Sequence, residues 1–219
     1  SDIYSQILSN GEVKVVDLAK LYHVSMETIR TDLSTMENQG LIKKIHGGAT
    51  LKESYSEVSV EYKMTENASD KQLIAKKALE YIQDGSTIFL DPGSTTLALA
   101  KYLPLKKDLL VITNSLKIAQ LVAETNHDLI FLGGKMLKKA KATTGSFTNN
   151  HLDSLHIDTC FMGCDGFMNM DGPTTFAFEE MEVKQHALRN STKKYLLADT
   201  SKFHKTGTYK FANFSDFDC

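Results

Sequence analysis

Ser25-Met26-Glu27-Thr28-Ile29-Arg30-Thr31-Asp32-Leu33-Ser34-Thr35-Met36 sets the architecture of the amino-terminal region. Ser25 is a good cap for a helix start, because its hydroxyl can accept from a free N–H of the first turn. Met26, Ile29, Leu33 and Met36 recur at 0, 3, 7 and 10, the spacing of one buried face. Gly40 stands where a left-handed residue ends a helix. The outward side then carries Thr28, Thr31, Ser34 and Thr35, with Arg30 flanking.

Upstream, Val15, Leu18, Ala19 and Tyr22 fall at 0, 3, 4 and 7, a second short helix that breaks at His23-Val24. Ile3, Ile7 and Leu8 suggest a first helix ending at Asn10-Gly11. Downstream, Leu41–Ile45 and Ala49–Leu51 flank Gly47-Gly48, the pattern of a small hairpin. From Gly40 to Lys52 there are three lysines, Lys43, Lys44 and Lys52, and no acid. A basic hairpin after a capped helix is the shape of a winged helix-turn-helix. Small hydroxyl side chains let such a helix sink into the major groove, where they reach phosphates or base edges and Arg30 can read guanine. The expected DNA contacts are Ser25, Thr28, Arg30, Thr31, Ser34 and Thr35, with Lys43, Lys44 and His46 in the wing. Residues 1–50 carry five basic and six acidic side chains, so charge alone leaves a solvated face of a helical bundle open. A protein-binding adaptor would show an apolar outward face instead.

The whole chain has 219 residues, 42% hydrophobic and 24% charged, with a net charge of −2. That excludes intrinsic disorder and indiscriminate coating of nucleic acid. The longest aliphatic or aromatic runs, such as Leu109–Ile112, are four residues, against the 18 or so that span a bilayer. Asp2 and Ser9-Asn10-Gly11 sit where a signal peptide would be basic and then apolar. Cys160, Cys164 and Cys219 form neither a C-x-x-C pair nor an even disulfide framework, which suggests reduced core thiols and a cytoplasmic protein. The seven histidines show no zinc spacing, so neither metal nor cofactor is expected.

Residues 52–68 are polar and aperiodic and read as a linker between a domain at 1–51 and another at 69–219. Beyond it, Lys71–Ile82 reads as a helix with Leu73, Ile74, Ala78 and Ile82 toward a core. Strands are expected at Thr87–Asp91, Leu109–Thr113, Leu129–Gly133, Thr159–Gly163 and Tyr195–Asp199. Helices are expected near Ser94–Tyr102, Ser115–Glu124 and Glu179–Ser191. This alternation argues for a mostly parallel sheet with helices on both faces.

Asp91-Pro92-Gly93-Ser94-Thr95-Thr96 joins a strand to a helix, where free N–H groups and hydroxyls can seat a phosphate. An ordinary strand-to-helix turn is the bland alternative. Thr113-Asn114-Ser115, Gly133-Gly134-Lys135, Gly163-Cys164-Asp165-Gly166 and Asp199-Thr200-Ser201-Lys202 also follow expected strands. Ligands of open parallel sheets bind at strand carboxyl ends, so these segments could converge on a phosphorylated polyol.

Val15-Val16-Asp17-Leu18-Ala19, Val24 to Leu33, Gly40-Leu41 and His46-Gly47-Gly48-Ala49 together resemble the DeoR family of bacterial transcription regulators. Thr31 stands where that family usually has a second arginine, which removes a phosphate or base contact. The resemblance extends through Asp91–Thr96, Ile112-Thr113-Asn114-Ser115, Leu132-Gly133-Gly134, a lone Gly145, Gly163–Gly166, the Glu179 to Lys184 helix and Asp199–Phe203. It implies a sugar-phosphate-sensing domain with a fold akin to ribose-5-phosphate isomerase and the CoA transferases. The effector residues it implies are Gly93, Ser94, Thr95, Thr96, Asn114, Ser115, Gly133, Gly134, Gly145, Asp165, Gly166, Glu179, Lys184 and Lys202. The family continues beyond Asp216-Phe217-Asp218, so a truncated carboxy terminus is also implied.

The expected function is a regulator, a repressor of sugar-metabolism genes, that binds duplex operator DNA under control of a phosphorylated sugar. The alternative is a sugar-phosphate isomerase or transferase, for which Asp165, Glu179, Glu182, Lys184 and Lys202 supply acid, base and electrophile types. An isomerase has no need of a winged helix. Two half-sites one helical turn apart require two readers on a shared body, so a homo-oligomer is expected, with no membrane partner.

Overall fold

The computed structural model describes residues 2–10, 12–51 and 60–219. The linker residues 52–59, with Lys52, and the side chain of Leu8 lie outside the described residues. The chain divides into two compact units, Ser1–Ser59 and Val60–Cys219.

In the first unit, α1 (Asp2–Asn10), β1 (Glu12–Lys14), α2 (Val15–Tyr22), α3 (Met26–Asn38), β2 (Ile42–Ile45) and β3 (Gly48–Leu51) follow in order. Ser25 caps α3, its side chain accepting from Thr28 N at 3.1 Å. At the other end Gly40 has φ +77°, with Leu41 N bonded to Met36 O and Gly40 N to Glu37 O. These two hydrogen bonds close the helix through a left-handed glycine. Ile29, Leu33 and Met36 are buried with Leu18, Val15 and Ile7. Met26 is 45% exposed, contrary to the periodicity. It is the first helical residue, and helical side chains lean toward the N-terminus, so it projects past the packed turn. The sheet has the order β1-β3-β2, all antiparallel. β1 is too short to show an alternation in sequence. It exists because Gly48 on β3 admits the Val13 backbone so closely that a Cβ would lie 2.1 Å from Val13 O.

The second unit runs α4 (Val60–Thr65), α5 (Ala68–Leu79), β4 (Thr87–Leu90), α6 (Ser94–Ala100), β5 (Leu110–Thr113), α7 (Leu116–Ala123) and β6 (Asp128–Phe131). It continues with β7 (Lys135–Leu137), β8 (Ala142–Thr144), α8 (Ser146–Asp153), β9 (Ile157–Met162), β10 (Thr174–Thr175), α9 (Phe178–Arg189), β11 (Ser191–Leu196) and β12 (Tyr209–Lys210). The central sheet is parallel throughout, in the order β11-β9-β4-β5-β6. Its strands alternate between two cores. Ile88, Leu90, Val111 and Phe161 pack with residues of α5, α6 and α7. Phe89, Ile112, Cys160 and Met162 pack with Leu152 of α8 and Val183, Ala187 and Leu188 of α9.

Further readings need correction, the first being the last strand, expected at Tyr195–Asp199 but formed by Ser191–Leu196 directly after α9. The stretch read as linker contains a helix, α4, whose buried Val60 donates from its N–H to Lys139 O at 3.3 Å. Tertiary partners supply what six residues cannot supply alone. Leu73 is 66% exposed, because the buried face of α5 is Lys71, Ala75 and Ala78, two residues out of phase with it. Cys219 is exposed, whereas burial pushes the Cys160 thiol up to about 12.

Candidate functional site

On α3, Arg30, Thr28, Thr31 and Thr35 are exposed and Ser34 is half-buried. Their hydroxyl protons are already committed: Thr31 Oγ1 donates to Glu27 O at 3.0 Å, Ser34 Oγ to Arg30 O at 2.7 Å and Thr35 Oγ1 to Thr31 O at 3.1 Å. Such back-bonding leaves the Thr31 and Thr35 oxygens as acceptors on the exposed face, while Ser34 Oγ already accepts from Lys44 Nζ. Arg30 pairs with Glu27 at 3.2 Å, both well exposed, which holds it only weakly. Lys43, Lys44 and His46 are exposed on β2 and its turn. The wing is tied back to α3, since Lys44 Nζ donates to Ser34 Oγ at 2.9 Å and Lys44 N to Glu37 Oε1 at 2.9 Å. The acid-free character of the wing is therefore local to the sequence; Glu37 meets it in space.

In the second unit, the strand ends create a cleft around Asp91. Its carboxylate is buried, accepts from Gly163 N at 2.9 Å and is ion-paired to Lys184 Nζ. Lys184 also donates to Gly163 O at 3.1 Å. Burial pushes the Asp91 carboxyl upward, against the pull of Lys184. Burial also opposes the Lys184 charge, but Asp91, Glu180 and Asp165 outweigh it and raise its pKa. The pair locks the end of β4 to the end of β9 and to α9, and leaves Lys184 committed.

Gly93, Ser94 and Thr95 line this cleft together with Asp165, Lys184 and Lys202. The first helical bond of α6 is Leu97 N to Gly93 O at 3.0 Å, so the N–H groups of Ser94, Thr95 and Thr96 precede it. Thr96 itself is turned inward: fully buried, its hydroxyl bonds to Asp91 O at 2.5 Å and Gly93 O at 3.0 Å. Asp165 Oδ1 pairs with Lys63 Nζ at 2.6 Å and Oδ2 accepts from Phe176 N at 3.1 Å. Burial would raise the Asp165 carboxyl, but Lys63, Lys184 and Lys202 hold it below its ordinary value.

The remaining expected residues are not among those lining the cleft. Asn114 and Ser115 are buried at the end of β5, where Asn114 Nδ2 donates to Thr143 O at 2.7 Å and Ser115 caps α7. Gly133 O accepts from Thr148 Oγ1 at 2.7 Å, and a Cβ on Gly134 would lie 2.3 Å from that same oxygen. Gly145 has φ +94° and precedes α8. These residues form a neighbouring polar group, and among the described residues the side-chain oxygens of Asn114 and Asn149 have no hydrogen-bond partner. Gly166 packs against the Lys205 backbone, where a Cβ would lie 2.1 Å from Lys205 O. Glu179 is half-buried, and its neighbour Glu180 is the one in the cleft, accepting from Thr175 Oγ1 at 2.6 Å. Lys63, Thr175 and Glu180 were missed because no motif carries them. Among the described residues, no group of three or more His, Cys, Asp or Glu could hold a metal, and no helix is long and apolar enough to cross a membrane.

A winged helix-turn-helix joined to a parallel α/β unit with a charged strand-end cleft defines a DNA-binding regulator with a sensor domain. The DeoR-like helix-turn-helix domain matches residues 1–55, and the DeoR C terminal sensor domain matches residues 66–219. The chain is 34% identical, over 98% of its length and 86% of the relative's, to the uncharacterized HTH-type transcriptional regulator FruR of Bacillus subtilis. It is 33% identical, over 98% of its length and 86% of the relative's, to the lactose phosphotransferase system repressor of Streptococcus mutans. A ribose 5-phosphate isomerase A from Methanocaldococcus jannaschii aligns with a TM-score of 0.43 at 20% identity, over 62% of this chain and 54% of that one. The chain belongs to the DeoR family of transcriptional regulators. It is a DNA-binding regulator rather than an enzyme.

Proposed function

We propose that the protein represses genes of sugar metabolism and that a phosphorylated sugar in the cleft sets its affinity for operator DNA. The observation that carries this reading is the shared cleft of Gly93, Ser94 and Thr95 with Asp165 and Lys202. Backbone N–H groups and a lysine suit a phosphate, and a carboxylate beside them suits sugar hydroxyls. The repressor name of the Streptococcus relative agrees with it. On the DNA side, Ser25, Thr28, Arg30, Thr31, Ser34 and Thr35 reach the groove, while Lys43, Lys44 and His46 meet phosphates. Asn114, Ser115, Gly133, Gly134 and Gly145 shape the far end of the effector site. The protein works as a cytoplasmic homo-oligomer, because paired half-sites require paired readers.

The test is affinity for a duplex selected from a random pool, measured with and without aldose and ketose phosphates. A bound effector shifts it by about 5- to 150-fold, the usual range of coupling between sites. Ser94→Glu places a carboxylate where the phosphate belongs and removes that shift. A shift that survives Ser94→Glu moves the effector elsewhere.

A further inference from the structure

Three lysines, Lys63, Lys184 and Lys202, line the cleft, and they differ in what holds them. Lys184 is consumed by Asp91 and the Gly163 carbonyl. Lys202, half-buried, makes no hydrogen bond or ion pair from its ammonium among the described residues. Lys63 reaches in from α4 and pairs with Asp165 at 2.6 Å, its side chain 25% exposed against 8% for the aspartate. Two carboxylates line the cleft with these cations, Asp165 and Glu180, and the buried Asp91 lies behind it on Lys184. A phosphate monoester brings about −1.5 to −2 more at neutral pH. Sugar hydroxyls are donors and can replace Lys63 on Asp165, whereas the phosphate accepts only and needs a cation.

We infer that Lys63 is an effector-binding residue that exchanges Asp165 for the phosphate of a bound sugar, and that this exchange is felt by α4, the first element of the sensor unit. The inference rests on the proposed effector reading. Lys63 is well placed for that role by its element. α4 follows residues 52–59, which lead from the last strand of the reader. The helix is held at both ends: Val60 N donates to Lys139 O, and the buried ammonium of Lys71 on α5 donates to the carbonyls of Lys63 and Glu66. The backbone of Lys63 is thus gripped by α5 while its side chain answers to the cleft. A change of partner at Nζ acts on the carbonyl network that fixes α4.

Calorimetric titration of the full chain with aldose and ketose phosphates, and with the unphosphorylated sugars, tests this. Lys63→Gln should weaken phosphorylated ligands by about 10- to 100-fold, the worth of a charge-assisted hydrogen bond. Lys63→Arg should restore binding. A merely structural Lys63–Asp165 pair would affect both ligand classes alike, so selectivity for the phosphorylated ones is the diagnostic readout. If Lys63→Gln does not fold, the neutral pair Lys63→Gln with Asp165→Asn is read as the ratio of phosphorylated to unphosphorylated affinity, which should fall by the same factor, because Asp165→Asn acts on hydroxyls common to both ligand classes. Unchanged phosphate-ester affinity, or equal losses for both ligand classes, overturns the role of Lys63. If Ser94→Glu still abolishes binding in that case, the effector reading stands without it. Failure of every phosphorylated sugar to bind the wild type overturns both.

Discussion

Lys184 on α9 and Asp91 at the end of β4 form a buried ion pair between residues far apart in sequence. Removing one partner leaves the other charged and dry, so Asp91→Ala should cost about 3–5 kcal/mol of sensor-domain stability. Replacing both, Asp91→Asn with Lys184→Met, should cost much less than the sum of the single changes. Chemical denaturation of the wild type, Asp91→Asn, Lys184→Met and the double variant measures the cycle. Additive losses would mean that the pair does not act as a unit.

The wing lysines should act through charge. Changing Lys43 and Lys44 together to Ala should weaken binding to every duplex and lower the salt slope by about 1 to 2. Lys44 also donates to Ser34, so its loss frees α3 locally as well. Unchanged affinity and slope in a salt titration would place the wing outside the interface.

Thr31 is exposed on the reader helix, its hydroxyl turned back to Glu27 O. Thr31→Arg adds a cation one turn from Glu27 without disturbing the buried face. General DNA affinity should rise, and base preference should shift if the new guanidinium reaches guanine. Binding curves on selected and scrambled duplexes give both quantities.

Stability of the sensor domain should fall on acidification, partly through Asp165. Its pKa in the folded chain is lowered by Lys63, Lys184 and Lys202 despite burial. The unfolded chain therefore takes up this proton first as pH falls. The stabilisation is present above about 3.9, the ordinary aspartate value, and is lost as pH drops through the lowered folded value. Asp165→Asn should flatten that limb of the unfolding free energy against pH. Asp91, raised by burial, contributes the opposite slope over its own range.

Much of the architecture was legible in the residues because it is local or periodic. Ser25 and Gly40 mark the ends of α3 by cap chemistry that needs only the neighbouring turn. The strands β4, β5 and β9 send alternate residues to two cores, and four of the five expected strands and the principal helices lie where the sequence places them, the last strand alone being displaced to Ser191–Leu196. Strand ends followed by Gly, Ser, Thr and Asp point to a cleft by their place in the sequence alone.

Tertiary structure decided which of those residues meet. The sheet order β11-β9-β4-β5-β6 is not the chain order, so Asp91 finds Gly163 and Lys184 while Asn114 lies in the neighbouring polar group. On α9 one residue is about 100° of rotation, which brings Glu180 rather than Glu179 to the cleft. Lys63, in a segment with no motif, reaches Asp165 only because Lys139 and Lys71 hold α4 in place. Periodicity and capping are written in neighbouring residues; the pairing of charges across a hundred residues depends on how the packed layers bring the chain back on itself.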